Sequence, residues 1–259
     1  MRNVVTALGL AEVKRKVSLL IRDDIRRRFR GRFADYTAAM SNVRPGHLAG
    51  YDHAEIADVA FEQMCAVTLW DYPVLFWLGK LLPRYDNILD AAGHMGTKYR
   101  AWRDLLDLPA DFEWIVYEVP AIAEAGRRRA LKDGLGSLRF HDDLAAVPPS
   151  DVMLGSGLLQ YLDEPFAAFM RRLPRLPEHL LLNKVAVRDG ETVVTLEVFP
   201  GAEVPYLVLG RAAFEASLAE LGYKIIDQWE IGDLSFKHPA FGQSSSQGYY
   251  ARLDPQRNQ

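Results

Sequence analysis

Asn87-Ile88-Leu89-Asp90-Ala91-Ala92-Gly93-His94-Met95-Gly96-Thr97-Lys98-Tyr99 is the stretch that decides the fold. Ile88 and Leu89 supply a short apolar strand, and Asp90 stands at its carboxyl end. Gly93 and Gly96 let the backbone bend sharply and approach a ligand that a Cβ would exclude. The helix that begins here aims unpaired N–H groups at the same point. The pattern predicts the first strand–turn–helix unit of a nucleotide-binding α/β domain, where ligands collect beyond the carboxyl ends of the strands. Spacing excludes two phosphate motifs: neither the G-x-G-x-x-G of dinucleotide sites nor the G-x-x-x-x-G-K-[ST] of phosphate loops is present.

Later strands repeat the arrangement. Phe112 to Glu118 reads as a strand ending in an acid, a position from which a carboxylate accepts hydrogen bonds from ribose hydroxyls. Pro120 opens the next helix, where its missing N–H costs nothing, and Gly134 and Gly136 end that helix. Ser137 to Phe140 is a third strand closing at His141-Asp142-Asp143. Asp151 to Gly157 is a fourth, turning at Ser156. Asp90, Glu118, Asp142 and Ser156 thus fall in register at one sheet edge. Leu180 to Val187 is a fifth strand with Asn183 and Lys184 inside it. Behind Asp189-Gly190, the alternation of Glu191 to Phe199 predicts a hairpin with that strand. Phe214 to Leu221 is a helix ended by Gly222. Tyr223 to Ile231 and Gly248 to Leu253 then follow without an intervening helix, which predicts an antiparallel last strand.

The chain before residue 83 is of a different character. Residues 1–32 hold ten Lys and Arg against three acids, a net +7 that leaves −10 elsewhere. Val13, Val17, Leu20, Ile21 and Ile25 recur at helical spacing, so the segment is expected to be an amphipathic basic helix. Such a helix packs on the acidic body, joins two copies as a homodimer, or touches an anionic membrane surface. Gly31 to Gly50 reads as an irregular connection. Ala54 to Leu82 reads as aromatic-rich helix broken at Asp71-Tyr72-Pro73, because proline disfavours helix in the residue before it. The expected division is a basic helix and helical cap over 1–82 and a cofactor domain over 83–259.

Composition excludes other classes. A chain of 259 residues with net charge −3 offers nucleic acid no basic surface. The single cysteine, Cys65, excludes an internal disulfide framework. No apolar run reaches the roughly 18–20 residues of a membrane span, and the expected location is the cytoplasm. The six histidines show no metal-ligand spacing, so no metal is expected.

Residues 50–253 resemble a bacterial family of class I S-adenosylmethionine-dependent methyltransferases. The likeness rests on the order and spacing of several blocks: Gly50-Tyr51-Asp52, the Ile88–Tyr99 stretch, Gly157-Leu158-Leu159-Gln160-Tyr161, Asn183-Lys184, Val194-Thr195-Leu196-Glu197, and Leu221-Gly222-Tyr223 followed by Trp229. In the family pattern D/E-x-G-x-G-x-G, Asp90 and Gly96 match, while Ala92 and His94 replace the first two glycines. The resemblance implies a Rossmann-like seven-stranded sheet, its last strand antiparallel, under an N-terminal helical cap. It implies S-adenosylmethionine as cofactor, held by Tyr51, Asp90, Gly93, Gly96, Glu118, Asp142 and Ser156. A small hydroxylated acceptor of the surface-polysaccharide or secondary-metabolite kind would meet Gln160, Tyr161 and Lys184. Its proton would pass to His94 or Asp52, since a hydroxyl needs a base. Two other readings stay open: a non-catalytic cofactor-binding module, and an NAD-dependent oxidoreductase.

Overall fold

The computed structural model describes residues 28–53 and 60–254. The chain begins with β1 (Phe29–Phe33), α1 (Tyr36–Met40), β2 (Leu48–Ala49), α2 (Phe61–Met64) and α3 (Tyr72–Leu81). A run of alternating elements follows: β3 (Asn87–Ala91), α4 (Thr97–Trp102), β4 (Glu113–Tyr117), α5 (Pro120–Lys132), β5 (Leu138–His141), β6 (Val152–Ser156), α6 (Phe166–Arg171) and β7 (His179–Arg188). The chain closes with β8 (Val193–Phe199), β9 (Ala202–Gly210), α7 (Arg211–Glu220), β10 (Tyr223–His238) and β11 (Gly242–Leu253).

Seven strands form the main sheet in the order β5-β4-β3-β6-β7-β11-β10. β3 to β7 are mutually parallel, and β11 enters antiparallel between β7 and β10. The side-chain period of two sends Leu89, Ile115, Met153 and Leu180 to one face, where they pack with Phe169 and Met170 of α6 and Leu218 of α7. Ile88, Trp114, Val152 and Leu181 go to the other, against Leu78 and Leu81 of α3 and Trp102 of α4. With both faces covered, the central strands are apolar on both sides, as parallel sheets require. Strand order reverses between β3, whose successor lies on one side, and β6 on the other. Ligands of open α/β sheets bind at such a switch point.

β7 serves a second sheet as well. Beyond the end of β6, its Val187 and Arg188 pair with Leu209 and Gly210 of β9. β9 pairs antiparallel with β8, β8 with β1, and β2 lies parallel to the start of β9. The expected hairpin between residues 180–187 and 191–199 is therefore not made. β9 lies between these strands, and the true hairpin turns at Pro200-Gly201, with Gly201 at φ +77°. Gly210 passes so close to the loop that a Cβ there would collide with the Gly190 carbonyl.

The N-terminal segment is also corrected. Residues 29–33, expected to be part of the basic helix, form strand β1, and the rest of that expectation, residues 1–27, lies outside the described residues. The segment read as irregular contains α1, capped by Asp35 through the Ala38 N–H at 2.7 Å. Tyr72 and Pro73 start α3 rather than break a helix. The interruption falls at 65–68, where Asp71 accepts from both the N–H and the hydroxyl of Thr68.

Glu203 of β9 fastens this segment. Its side chain is fully buried and takes Arg30 of β1 at 2.6 Å and Arg44 of the β2 approach at 2.5 Å. Burial alone would raise its pKa, but the hydrogen bonds from the two arginines and the Arg44 N–H bring it down to about 2. A carboxylate depressed below its unfolded value adds stability above pH ~4.5, which is lost as pH falls toward 2. Glu203→Ala is expected to cost about 1–3 kcal/mol at pH 7, since it removes the charge-assisted hydrogen bonds from Arg30 and Arg44, and to flatten that acid limb. Urea denaturation between pH 3 and pH 7 checks both.

Candidate active site

Three of five consecutive residues after β3 have left-handed backbone: Ala92 at φ +57°, His94 at +54° and Gly96 at +73°. These are the three positions at which the family pattern has glycine. The glycine-type path is thus kept although two of the glycines are not. A non-glycine residue held there costs of order 1–3 kcal/mol and persists only where its surroundings impose it.

The imposing group lies beneath the turn. Asp90 is fully buried, and its Oδ2 accepts from Trp114 Nε1 at 2.9 Å. Gly93 crosses directly above, and a Cβ on it would stand 2.6 Å from that carboxyl carbon. Gly93 is therefore required for space. Gly96 is required for both φ and space, because a Cβ would meet Leu138 at 2.5 Å. Beside the turn, the buried Glu118 accepts from the His94 N–H and the Val119 N–H, both at 2.9 Å. Its carboxylate thereby ties the turn after β3 to the end of β4.

Burial raises both acids to about 7. For Asp90 it outweighs the Trp114 hydrogen bond and the charges of Lys98 and Lys184. For Glu118 it outweighs the two backbone N–H bonds and is joined by the charges of Asp90 and Asp52.

These groups border a cavity of about 600 Å³ at the carboxyl edge of the sheet, within the range of small-molecule sites, about 300–1,000 Å³. Asp90, Gly93, His94, Glu118 and Ser156 are among its lining. Part of the wall is aromatic: Tyr51 and Tyr161 with ring centroids 5.2 Å apart, and Tyr206 at 5.6 Å from Tyr161. The Tyr161 hydroxyl donates to the buried Glu197 at 2.6 Å, and Glu197 also takes Arg28 at 3.0 Å. Among the described residues, Asp90 Oδ1, Ser156 Oγ and Gln160 Oε1 of the lining residues find no hydrogen-bond partner. Such atoms are costly unless a ligand meets them.

Ten of the twelve expected residues border this one cavity; Gly96 and Asp142 do not. Gly96 lies behind the turn against Leu138. Asp142 points outward and pairs with Arg127 of α5 at 2.6 Å. Asp52 caps α5, accepting from the Ala121 N–H at 2.8 Å. Among the described residues, no group of three His, Cys, Asp or Glu is placed to hold a metal ion, and no helix is long and apolar enough to cross a membrane.

Sequence reading missed Lys98, Asp71, Glu197 and Tyr206. The Lys98 ammonium is buried and sits 3.1 Å from both oxygens of Asp71, which is fully buried. A charged residue within an apolar strand, as Glu197 is, was the available signal.

No protein-family model and no curated protein sequence matches the chain. Solved structures do. The N-terminal domain of EvdMO1 with S-adenosylhomocysteine (SAH) bound matches with a TM-score of 0.52 at 14% identity, over 73% of this chain and 83% of that one. The same domain in the presence of SAH and D-fucose gives 0.51 at 15%, over 72% and 84%. An O-methyltransferase family protein from Burkholderia thailandensis gives 0.50 at 14%, over 77% and 60%. The fold is that of the class I methyltransferases. In that fold's terms, β3 to β7, β10 and β11 are its seven strands, and the β1-β8-β9-β2 sheet is an addition that walls the cavity.

Two outcomes follow from the class I turn. A carboxyl raised from about 4.5 to about 7 by folding binds its proton more tightly in the folded state, so stability falls as pH rises from 4.5 through 7. Glu118→Gln is expected to reduce that fall in thermal unfolding measured between pH 4.5 and pH 8. Ala92→Gly removes a left-handed alanine and is expected to stabilise by about 1 kcal/mol, read as an increased urea midpoint at unchanged slope.

Proposed function

We propose that this protein is an S-adenosylmethionine-dependent methyltransferase whose acceptor is a small molecule methylated at a hydroxyl, such as a biosynthetic intermediate or sugar. One observation carries the reading: the left-handed turn Ala92–Gly96 is closed against Glu118, while Asp90 and Ser156, each with a buried polar atom that no described residue satisfies, border the same cavity. SAH bound to the similar EvdMO1 domain supports the choice of cofactor. The cavity volume accommodates a nucleoside-sized ligand with a small acceptor beside it.

When bound, S-adenosylmethionine supplies a sulfonium-activated methyl for in-line displacement. In this reading Glu118 uses its remaining lone pairs on the ribose hydroxyls. Gly93 permits close approach, and Asp90 and Ser156 meet the polar end of the cofactor. His94 and Asp52, the two expected proton acceptors, stand on the cofactor side, one inside the turn and the other capping α5 beside Glu118. We read both as framing the cofactor, with Tyr51 closing over it. Gln160, Tyr161 and Lys184 border the acceptor space. Alignment of acceptor, methyl and sulfur is the main contribution the protein makes to such a displacement. The division into a cap over 1–82 and a cofactor domain over 83–259 is retained as part of this proposal.

Calorimetric titration with SAH, with NAD as control, tests the reading. Micromolar SAH binding is expected, with no heat from NAD. Glu118→Ala should weaken SAH by about tenfold to a hundredfold, the effect of losing charge-assisted hydrogen bonds worth roughly 1.5–3 kcal/mol. NAD binding, or SAH indifference in the folded protein, would redirect the reading to an oxidoreductase or a binding module.

A further inference from the structure

β7 is irregular at one place, and the irregularity sits in the cavity wall. Leu182 faces Tyr249 of β11 and Val185 faces Gln247, so Asn183 and Lys184 together oppose the single residue Gly248. This is a β-bulge, a device that bends a strand and re-aims one side chain. Its effect on strand parity is visible in the core. Leu180 and Leu182 before it, and Val185 and Val187 after it, all enter the same hydrophobic cluster. Lys184 is the extra residue, with φ +58°. A long aliphatic side chain gains nothing from that conformation, so the surrounding structure enforces it.

The enforcement comes from both flanks. Asn183, fully buried, accepts from Trp229 Nε1 at 3.1 Å and donates to the Trp70 carbonyl at 3.2 Å. Trp229 lies flat across Gly248, where a Cβ would run into the indole. Asn183 itself pairs with Ser156, the cavity residue at the end of β6. Lys184 therefore borders the cavity from a clamped backbone.

The charges around it are few. Lys98 of α4, Asp71 of the turn before α3 and Asp90 of β3 are those that act on it. Asp71 is already committed to Lys98 through both oxygens. Lys184 forms no ion pair with a described residue. Burial, with Lys98 nearby, lowers its pKa to about 8, against the partial compensation of Asp71 and Asp90. A sulfonium in the same cavity would lower it further, since two cations repel strongly out of water.

We propose that the Lys184 amine is the base that takes the acceptor's hydroxyl proton, and that the Asn183–Lys184 bulge is what aims it there. The proposal rests on the cofactor reading above. The acceptor O–H bond breaks and its proton joins the Lys184 Nζ lone pair. The acceptor oxygen forms its bond to the methyl carbon, and the electron pair of the breaking C–S bond stays on sulfur, leaving SAH. One positive charge enters as sulfonium and one remains as ammonium, so the site keeps its net charge. The ammonium then returns its proton to solvent.

Sinefungin tests the placement without an acceptor. It carries an ammonium where the cofactor has its sulfonium methyl, and an amine of lysine type stays protonated below about pH 9. Its affinity relative to SAH is measured calorimetrically at pH about 6.5 and about 8.5 for the full chain, for Lys184→Met and for Lys184→Arg, with thermal unfolding confirming that each is folded. Glu118 titrates in this range but acts on both ligands alike, so the ratio removes it. In the wild type the sinefungin preference should rise about tenfold with pH, as a cation facing the ammonium becomes an acceptor. Lys184→Met should abolish the rise. Lys184→Arg should hold the ratio at its low-pH value throughout, and it decides the matter if the methionine variant does not fold. A flat wild-type ratio overturns the proposal while leaving the cofactor reading intact. So does a rise that survives in Lys184→Met, which would assign the titration to Asp90. Failure of the folded protein to bind either ligand overturns both.

Discussion

The hydrogen bond from the Trp114 indole to the buried carboxyl of Asp90 is the interaction on which the site depends. It ties β4 to β3 beneath the turn and leaves a carboxyl group where the chain must cross. Only a residue without Cβ can make that crossing, and Gly93 does. The residues on either side then have no choice of backbone conformation. Ala92 donates its N–H to the Tyr117 carbonyl, and His94 donates its N–H to the Glu118 carboxylate. Each bond holds a left-handed residue in place, so strain at two non-glycine positions is offset by contacts to the neighbouring strand. The turn and the second strand end are one unit, and that unit borders the cavity.

A second constraint shapes the other half of the site. β7 is long enough to lie beside β6 and then, past the end of β6, beside β9. The additional sheet hangs from that end and contributes Tyr206, Glu197 and, through β1, the approach of Arg28. Glu203 closes the arrangement by gathering Arg30 and Arg44 around one buried carboxylate. The cavity wall opposite the turn is therefore built from residues far apart in the chain.

Between the two halves lies a small set of buried charges. Lys98 and Asp71 neutralise each other, and both also hold structure in place. Lys98 lies over the Trp102 ring at 5.0 Å, and Asp71 caps the turn into α3. Asp90 and Lys184 remain, each displaced by burial toward its neutral form. An interior that holds few unpaired charges favours neutral groups, and such groups can give or take a proton near neutral pH.

The local sequence determined the alternating strands and helices of residues 87–188, the strand-end positions of Asp90, Glu118 and Ser156, and the antiparallel finish. Each rests on a short-range cause: apolar periodicity, a proline at a helix start, a glycine where φ turns positive. Asp90, Glu118 and Ser156 border one cavity for the same reason, because strand ends of a parallel sheet meet at one edge. Only the tertiary structure decided the rest. β9 carries Glu203 and Pro205 within it, residues that ordinarily argue against a buried strand, and it pairs because β7 and β8 offer edges on either side. Phe29 to Phe33 shares its basic character with the preceding segment, yet it becomes strand because β8 presents an edge and Glu203 a buried charge. The outward turn of Asp142 and the bulge at Lys184 were equally hidden. The first follows from Arg127 on a helix fifteen residues away in sequence, and the second from Trp229 lying over Gly248. Contacts between distant segments set these features, and no window of neighbouring residues contains them.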